Sequence, residues 1–176
     1  EGLLDVIPED CTVTLITNMS VELSKNKIFE KLSKRKKVGW SMSFDNIGSR
    51  FEYVRHGGNW VELVNNIFQI KKLFDQGHWG GIHAVYNIYN CTRLVEFREW
   101  AHVRGLTVLW QNLFQPECLD PMQHGPRVRE LALEQVSLLL DQCRDILAPS
   151  EQQFFGQFVF DFGLDEPADG AGAILG

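Results

Sequence analysis

Residues 38–55 read VGWSMSFDNIGSRFEYVR, and this stretch decides how the chain of 176 residues folds. It begins as a strand and breaks at the turn-forming run DNIG. Ser43 and Asp45 are two positions apart, so their side chains share one face of that strand. At the carboxyl end of a strand in a parallel α/β sheet, such side chains point toward the ligand crevice. Together with the downstream guanidinium of Arg55, this hydroxyl and carboxylate suit a small, polar, anionic ligand.

The same residues also have a purely structural interpretation. The strand can end in an Asx-type turn at Asp45, and Arg55 can belong to an ion pair at the protein surface. The pattern alone leaves both interpretations open.

Outward from this stretch, strands and helices alternate along the chain. Strands are predicted where β-branched and aromatic residues are frequent: residues 11–17, 38–44, 81–87 and 106–110. Helices are predicted from their capping residues: from about Ser24 to the basic run 34–37, from Asn59 to Gly77, from Asn90 or Thr92 to Gly105, and from Pro126 to about Leu147. The alternation predicts an α/β fold with about four parallel strands and right-handed crossovers. Four such units make half of an eight-stranded (βα) barrel or a small open sheet.

Composition and cysteine spacing exclude several classes of protein. The net charge of −6 argues against a general nucleic-acid binder. No run reaches the ~18 consecutive apolar residues that a membrane span needs. The four cysteines are scattered without metal-ligand spacing, which predicts free thiols and a cytoplasmic location. His83, in the third predicted strand, could face the barrel, and we interpret it as a packed residue because catalysis needs a partner in reach.

The end of the chain differs from the alternating part. Residues 154–162 contain five phenylalanines in nine positions, which predicts either a strand or a hydrophobic contact segment. Residues 165–176 are rich in Gly, Ala and acidic residues, which predicts disorder. We therefore divide the chain into a βα unit at 1–150 and a Phe-rich segment with a tail at 151–176.

The residues around the central stretch closely resemble the radical S-adenosylmethionine (radical SAM) enzymes, and among them the subgroup named for its twitch domain. Five runs carry the resemblance: TNMS at residues 17–20, SMSFDNIGSRFEYVR at 41–55, NW at 59–60, VYNIYN at 85–90 and WQNL at 110–113. It extends over about residues 12–147. It implies a partial (βα)6 barrel with helices on the outer face, in which the predicted strands are the third to the sixth.

The resemblance also implies a set of cofactor-binding residues. In the family, S-adenosylmethionine lies across the carboxyl ends of the strands, and the positions of Ser43 and Arg55 hold its methionyl and ribose end. Asp45 would fix the turn or reach a ribose hydroxyl. Asn18 and Asn87, which end the first and third predicted strands, would line the same mouth. Each of these two residues is also typical of an ordinary turn.

Several departures from the family pattern limit what the chain can do. The C-x-x-x-C-x-x-C loop that ligates a [4Fe-4S] cluster is absent from the sequence, as is the second βα unit with its glycine-rich motif. Asn46 replaces the usual Gly after the S-x-D motif, and Asn tolerates the same left-handed geometry. Without three cysteine thiolates this chain ligates no cluster, so it should be inactive alone in 5'-deoxyadenosyl radical chemistry.

Two functions of different classes follow. The first is the carboxyl-terminal half-barrel of a radical SAM enzyme, a fragment whose cluster-binding segment lies upstream or in a partner chain. The second is a non-catalytic α/β module that binds a partner protein through its sheet edge and the Phe-rich segment. Because a half-barrel leaves two unpaired edges, we expect this fragment to self-associate or to be poorly soluble.

Overall fold

The computed structural model of the protein describes residues 2–113 and 115–162. Its four strands are all parallel and pair in sequence order in one sheet: β1 (Val13–Thr17), β2 (Val38–Ser43), β3 (Trp79–Tyr86) and β4 (Thr107–Asn112). Each strand end lies within two residues of its predicted position. The predicted α/β fold with a parallel sheet is thus confirmed.

Helices connect the strands and continue after the last of them. Their bounds are α1 (Leu3–Val6), α2 (Lys27–Ser33), α3 (Ser49–Val54), α4 (Trp60–Lys71), α5 (Leu94–Val103), α6 (Pro126–Gln142) and α7 (Pro149–Phe162). Asn59 caps α4 by accepting a hydrogen bond from the Glu62 N–H at 2.9 Å, as its sequence predicts. Gly105 follows α5 with a φ of 61°, a conformation that glycine adopts without strain.

The hydrophobic core lies between the sheet and the helices. The even-numbered residues within 38–42 of β2, 82–86 of β3 and 108–110 of β4 are buried there, as the two-residue period of a strand requires. Phe44, which follows β2, is fully buried at the centre, and four aromatic rings lie with their centroids 5.9 to 6.4 Å from its own: those of Phe51, Trp60, Phe97 and Trp100. Burial of one such ring stabilises the fold by about 1.5–3 kcal/mol.

The opposite face of the sheet is open. Ile16 of β1 and Leu109 of β4 are 69% and 59% exposed there, while Ser43 and His83 between them are half-buried. Parallel sheets are usually covered on both faces, so helices on only one face are the exception. The arrangement is consistent with a partial (βα) barrel whose inner face is uncovered.

Four predicted helix ends were wrong. Asn26, not Ser24, caps α2, because its side-chain oxygen accepts hydrogen bonds from two backbone N–H groups, those of Ile28 and Phe29. Neither Asn90 nor Thr92 caps α5, which begins at Leu94. The helix predicted to run to Gly77 ends at Lys71 as α4. The helix predicted to run to about Leu147 ends at Gln142 as α6, and α7 begins beyond it at Pro149.

The strand interpretation of residues 154–162 is also wrong, since these residues lie in α7. Phe155 and Phe158 are three positions apart and therefore share a helix face. Phe158 contacts Tyr86, with ring centroids 4.9 Å apart, and Phe155 contacts Trp110 at 5.2 Å. The predicted boundary at 150 falls in the first turn of α7. The predicted disorder of 165–176 lies outside the described residues.

No helix in the described part of the chain combines the length and the apolar character that crossing a membrane requires.

Candidate functional site

Ser43, Asp45 and Arg55 come together at the carboxyl end of β2. The Nη2 atom of Arg55 lies 3.2 Å from Oδ2 of Asp45 and 3.4 Å from Oγ of Ser43. The chain returns to the strand because α3 is short and anchored by Phe51, whose buried ring contacts Phe44. The predicted proximity of Ser43 and Arg55 on a parallel sheet is therefore confirmed, whereas their role toward a ligand stays a prediction.

Asp45 ties this group to the neighbouring strand. Ser43 pairs with His83, so Asp45 lies opposite Val85, and its Oδ1 atom accepts a hydrogen bond from the Val85 N–H at 2.7 Å. The carboxylate continues the strand ladder where the backbone of the chain turns away. With Oδ2 beside Arg55, both oxygens have partners, which matches the turn-fixing role predicted for Asp45.

The guanidinium of Arg55 is only partly used by the protein. Its side chain is 29% exposed, and the hydrogen bonds of the guanidinium to described residues all come from Nη2. Nε is buried and has no hydrogen-bond partner in the described part of the chain. The same holds for Nε of Arg35 and Arg50, so the position beside Ser43, rather than the unpartnered Nε, distinguishes Arg55.

Asn18 and Asn87 follow β1 and β3, where the sequence placed them, but their amides serve turns. Oδ1 of Asn18 accepts hydrogen bonds from the N–H and the hydroxyl of Ser20, at 3.2 and 2.7 Å. Oδ1 of Asn87 accepts from the Tyr89 N–H, and its Nδ2 donates to the Val85 carbonyl. Neither amide forms a hydrogen bond with Ser43 or Arg55. The turn interpretation describes both residues, and ligand contact by either stays a prediction.

Asn90 is a site-forming residue that the sequence reasoning missed. Its buried Nδ2 donates to the carbonyls of Val85 and Asp45, at 2.7 and 3.2 Å, and its Oδ1 accepts from the Asn87 N–H. These bonds fasten the loop after β3 to the turn after β2. The N-x-x-N spacing directly after a strand is the signal that indicates this turn.

The cysteines do not form a metal site. Cys11 and Cys118 are exposed, whereas Cys91 and Cys143 are buried. Burial raises the pKa of the Cys91 thiol to about 11, so it stays protonated at neutral pH and is a poor ligand. Across residues 2–113 and 115–162, no group of three or more His, Cys, Asp or Glu side chains is arranged to hold a metal ion. This donor set does not fit an iron–sulfur cluster.

The site is an open sheet rim rather than an enclosed cavity. A groove of about 780 Å³ lies on the helical side of the molecule and is lined by residues of α4 and of the segment 22–33, with Asn65, Asn66 and Gln69 on the α4 side. It shares no residue with the group around Arg55. We therefore place the candidate site at the carboxyl ends of the strands, where parallel sheets bind ligands.

Comparison of the chain with protein-family models, with curated proteins and with solved structures finds no match in any of the three. The resemblance to radical SAM enzymes therefore rests on the residues named above, and the functional assignment rests on the geometry of Ser43, Asp45 and Arg55.

Proposed function

We propose that this chain is the carboxyl-terminal half-barrel of a radical SAM enzyme and that Ser43 and Arg55 bind the carboxylate of S-adenosylmethionine. The observation that carries the proposal is the guanidinium of Arg55 beside the Ser43 hydroxyl, 3.4 Å apart, at the carboxyl end of a parallel strand. A polar anionic ligand at this place follows from the chemistry of the two groups and from the position of ligand sites in α/β sheets.

The donors present fit the amino-acid end of this cofactor. A guanidinium offers a planar fork of N–H groups that matches a carboxylate, and such charge-assisted bonds are the stronger class of hydrogen bond. Asp45 engages only Nη2, which leaves Nη1 for a ligand, whereas Nε is buried. The hydroxyl of Ser43 supplies a further donor from the same face. The role of the chain is thus to bind and orient the cofactor.

The redox part of the chemistry is not assigned to this chain. In the family, bound S-adenosylmethionine supplies hydrogen-atom abstraction from a substrate, and that chemistry depends on a [4Fe-4S] cluster. Because the described donors do not fit a cluster, its ligands would come from a cluster-binding segment or a partner chain. The uncovered sheet face and the unpaired edge of β1 offer a place for the βα units that would carry it.

A non-catalytic interaction module is the second candidate, and a specific observation favours it. Large apolar side chains are exposed on the open face, including Ile16 and Leu109. Trp79, the first residue of β3, is 46% exposed. In the described part of the chain, β1 and β4 are edge strands. Exposed apolar surface and unpaired edges are features of protein-binding surfaces.

Isothermal titration with S-adenosylmethionine tests the first proposal. The wild-type chain is expected to bind, and Arg55→Ala is expected to bind at least tenfold more weakly, because it loses a charge-assisted pair of about 1.5–3 kcal/mol. Arg127→Ala is the matched control, since Arg127 lies exposed on α6. Equal affinity of Arg55→Ala and wild type would refute the assignment of Arg55. No binding by the wild-type chain would favour the interaction module.

A further inference from the structure

His83 occupies a particular place beside the Ser43–Arg55 site. It is the register partner of Ser43 across the β2–β3 pair. Side chains at paired positions of parallel strands project from the same face about 4.8 Å apart. The imidazole therefore leaves the open face of the sheet side by side with the Ser43 hydroxyl, on the side away from β1.

The imidazole of His83 has no polar partner among the described residues. The ring is half-buried and forms no hydrogen bond with a described residue. Its neighbour across the β3–β4 pair is Leu109, which offers no polar atom. The nearby carboxylate of Asp45 is already engaged by the Val85 N–H and by Arg55.

Other histidines with a buried or turn position do have partners. His78 is buried between Trp40, whose Nε1 donates to its Nδ1 at 3.1 Å, and the carbonyl of Arg35, which lies 2.7 Å from its Nε2. His124 contacts the Cys118 carbonyl at 3.0 Å. His83 thus combines partial burial, a position on the site's own face and unengaged ring nitrogens.

We propose that His83 is a third ligand-contact residue of this site and donates a hydrogen bond to the carboxylate that Ser43 and Arg55 bind. The inference rests on the proposed function and adds a residue that the sequence reasoning interpreted as packing. One carboxylate accepts hydrogen bonds of about 2.8 Å on both oxygens, so it spans donors on two adjacent strands. Ser43 then approaches it from β2, Arg55 from the end of α3, and His83 from β3.

Titration of the full chain with three probes tests this arrangement: S-adenosylmethionine, L-methionine and adenosine. His83→Leu removes the donor and is expected to weaken the binding of S-adenosylmethionine and of L-methionine by about ten- to hundredfold, the worth of one hydrogen bond to a charged group. His83→Gln keeps an N–H donor and is expected to stay closer to wild type. Adenosine lacks the carboxylate, so its binding should not distinguish the variants.

His102→Leu is the matched control, because His102 is exposed on the outer side of α5. Unchanged melting temperatures of the His83 variants establish that they are folded. If wild type binds S-adenosylmethionine and His83→Leu binds it within twofold, the role of His83 is refuted and the proposed function stands. If wild type binds none of the carboxylate probes, the proposed function itself is refuted, and the role of His83 with it.

Discussion

Asp45 is the residue on which the geometry of the candidate site depends. Its carboxylate accepts hydrogen bonds from the Val85 N–H at 2.7 Å and from Nη2 of Arg55 at 3.2 Å. Its backbone carbonyl accepts one from the side-chain amide of Asn90. A carboxylate that is only 9% exposed needs hydrogen bonds on both oxygens. The pairing of β2 with β3 therefore fixes the carboxylate, and the carboxylate fixes the guanidinium of Arg55 above Ser43.

Substitution of Asp45 should thus affect stability before any ligand is considered. Asp45→Ala leaves the Val85 N–H and the Arg55 guanidinium without their acceptor, and we expect the free energy of unfolding to fall by about 2–4 kcal/mol. Asp45→Asn keeps an acceptor for Val85 and should cost about 1 kcal/mol. Urea denaturation followed by tryptophan fluorescence measures both. Asp75→Ala, in an exposed turn, is the control; a loss no larger in Asp45→Ala would show that the carboxylate is not needed.

At this scale the sequence predicted the pair Ser43 and Arg55 but not Asn90. Only twelve positions separate Ser43 from Arg55, and they hold a turn and a short helix. So short a connection brings the chain back near the end of β2, and the spacing of the two residues therefore predicts that they lie close together. The side chain of Asn90 has the same preference for helix caps and for turns. Asn90 adopts the turn role because its amide donates to the carbonyls of Asp45 and Val85. Asp45 is distant in the sequence and the Val85 carbonyl belongs to a strand, so no local pattern predicts these two hydrogen bonds.

The elements that could be predicted are those whose signals are local. Asn59 at the start of α4, Gly105 after α5 and Pro126 at the start of α6 each act within one helical turn. Helix α7 could not be predicted, because a short run of phenylalanines fits a strand or a helix equally well. Helix α7 is held in place by tertiary contacts. Among them is an ion pair between Glu151 in its first turn and Arg98 of α5, 2.9 Å apart.

This ion pair is the interaction that fixes α7 on the sheet. The two side chains are 5% and 1% exposed, and Glu151 also accepts hydrogen bonds from Trp110 Nε1 at 3.3 Å and from the Ala148 N–H at 2.9 Å. Arg98 donates in addition to the Ile146 carbonyl. A buried charge with this many partners is strongly destabilising when only one partner is removed.

We therefore expect Glu151→Leu to lower the free energy of unfolding by about 3–5 kcal/mol, because Arg98 would remain charged and buried. The double substitution Arg98→Met with Glu151→Leu should recover part of that loss. Glu130→Leu is the matched control, since its pair with Arg127 is 65–76% exposed and should contribute less than about 1 kcal/mol. Chemical denaturation of the four proteins completes the comparison. Equal losses for Glu151→Leu and Glu130→Leu would mean that α7 is held by its phenylalanines alone.

As a whole, the molecule is an asymmetric layer of helices on one side of a parallel sheet. The helical side carries the aromatic core around Phe44, whereas the other side exposes Ile16 and Leu109. Within the described residues, β1 and β4 have no outer neighbour. Backbone groups of such edges pair readily with other strands, and an uncovered apolar face adds a driving force of about 25 cal/mol for each Å² that becomes buried.

The chain in isolation is therefore expected to self-associate through the open face and its edges. Sedimentation velocity over a wide range of protein concentrations should show a rising mean mass. Ile16→Lys or Leu109→Lys places a charge on an edge strand of that face, which opposes edge-to-edge pairing, and should return the chain toward the monomer. Val103→Lys changes an even more exposed apolar residue on the helical side and should have no effect. A wild-type chain that stays monomeric at every concentration would mean that the open face does not attract a second copy, and the apolar exposure of Ile16 and Leu109 would then need another explanation.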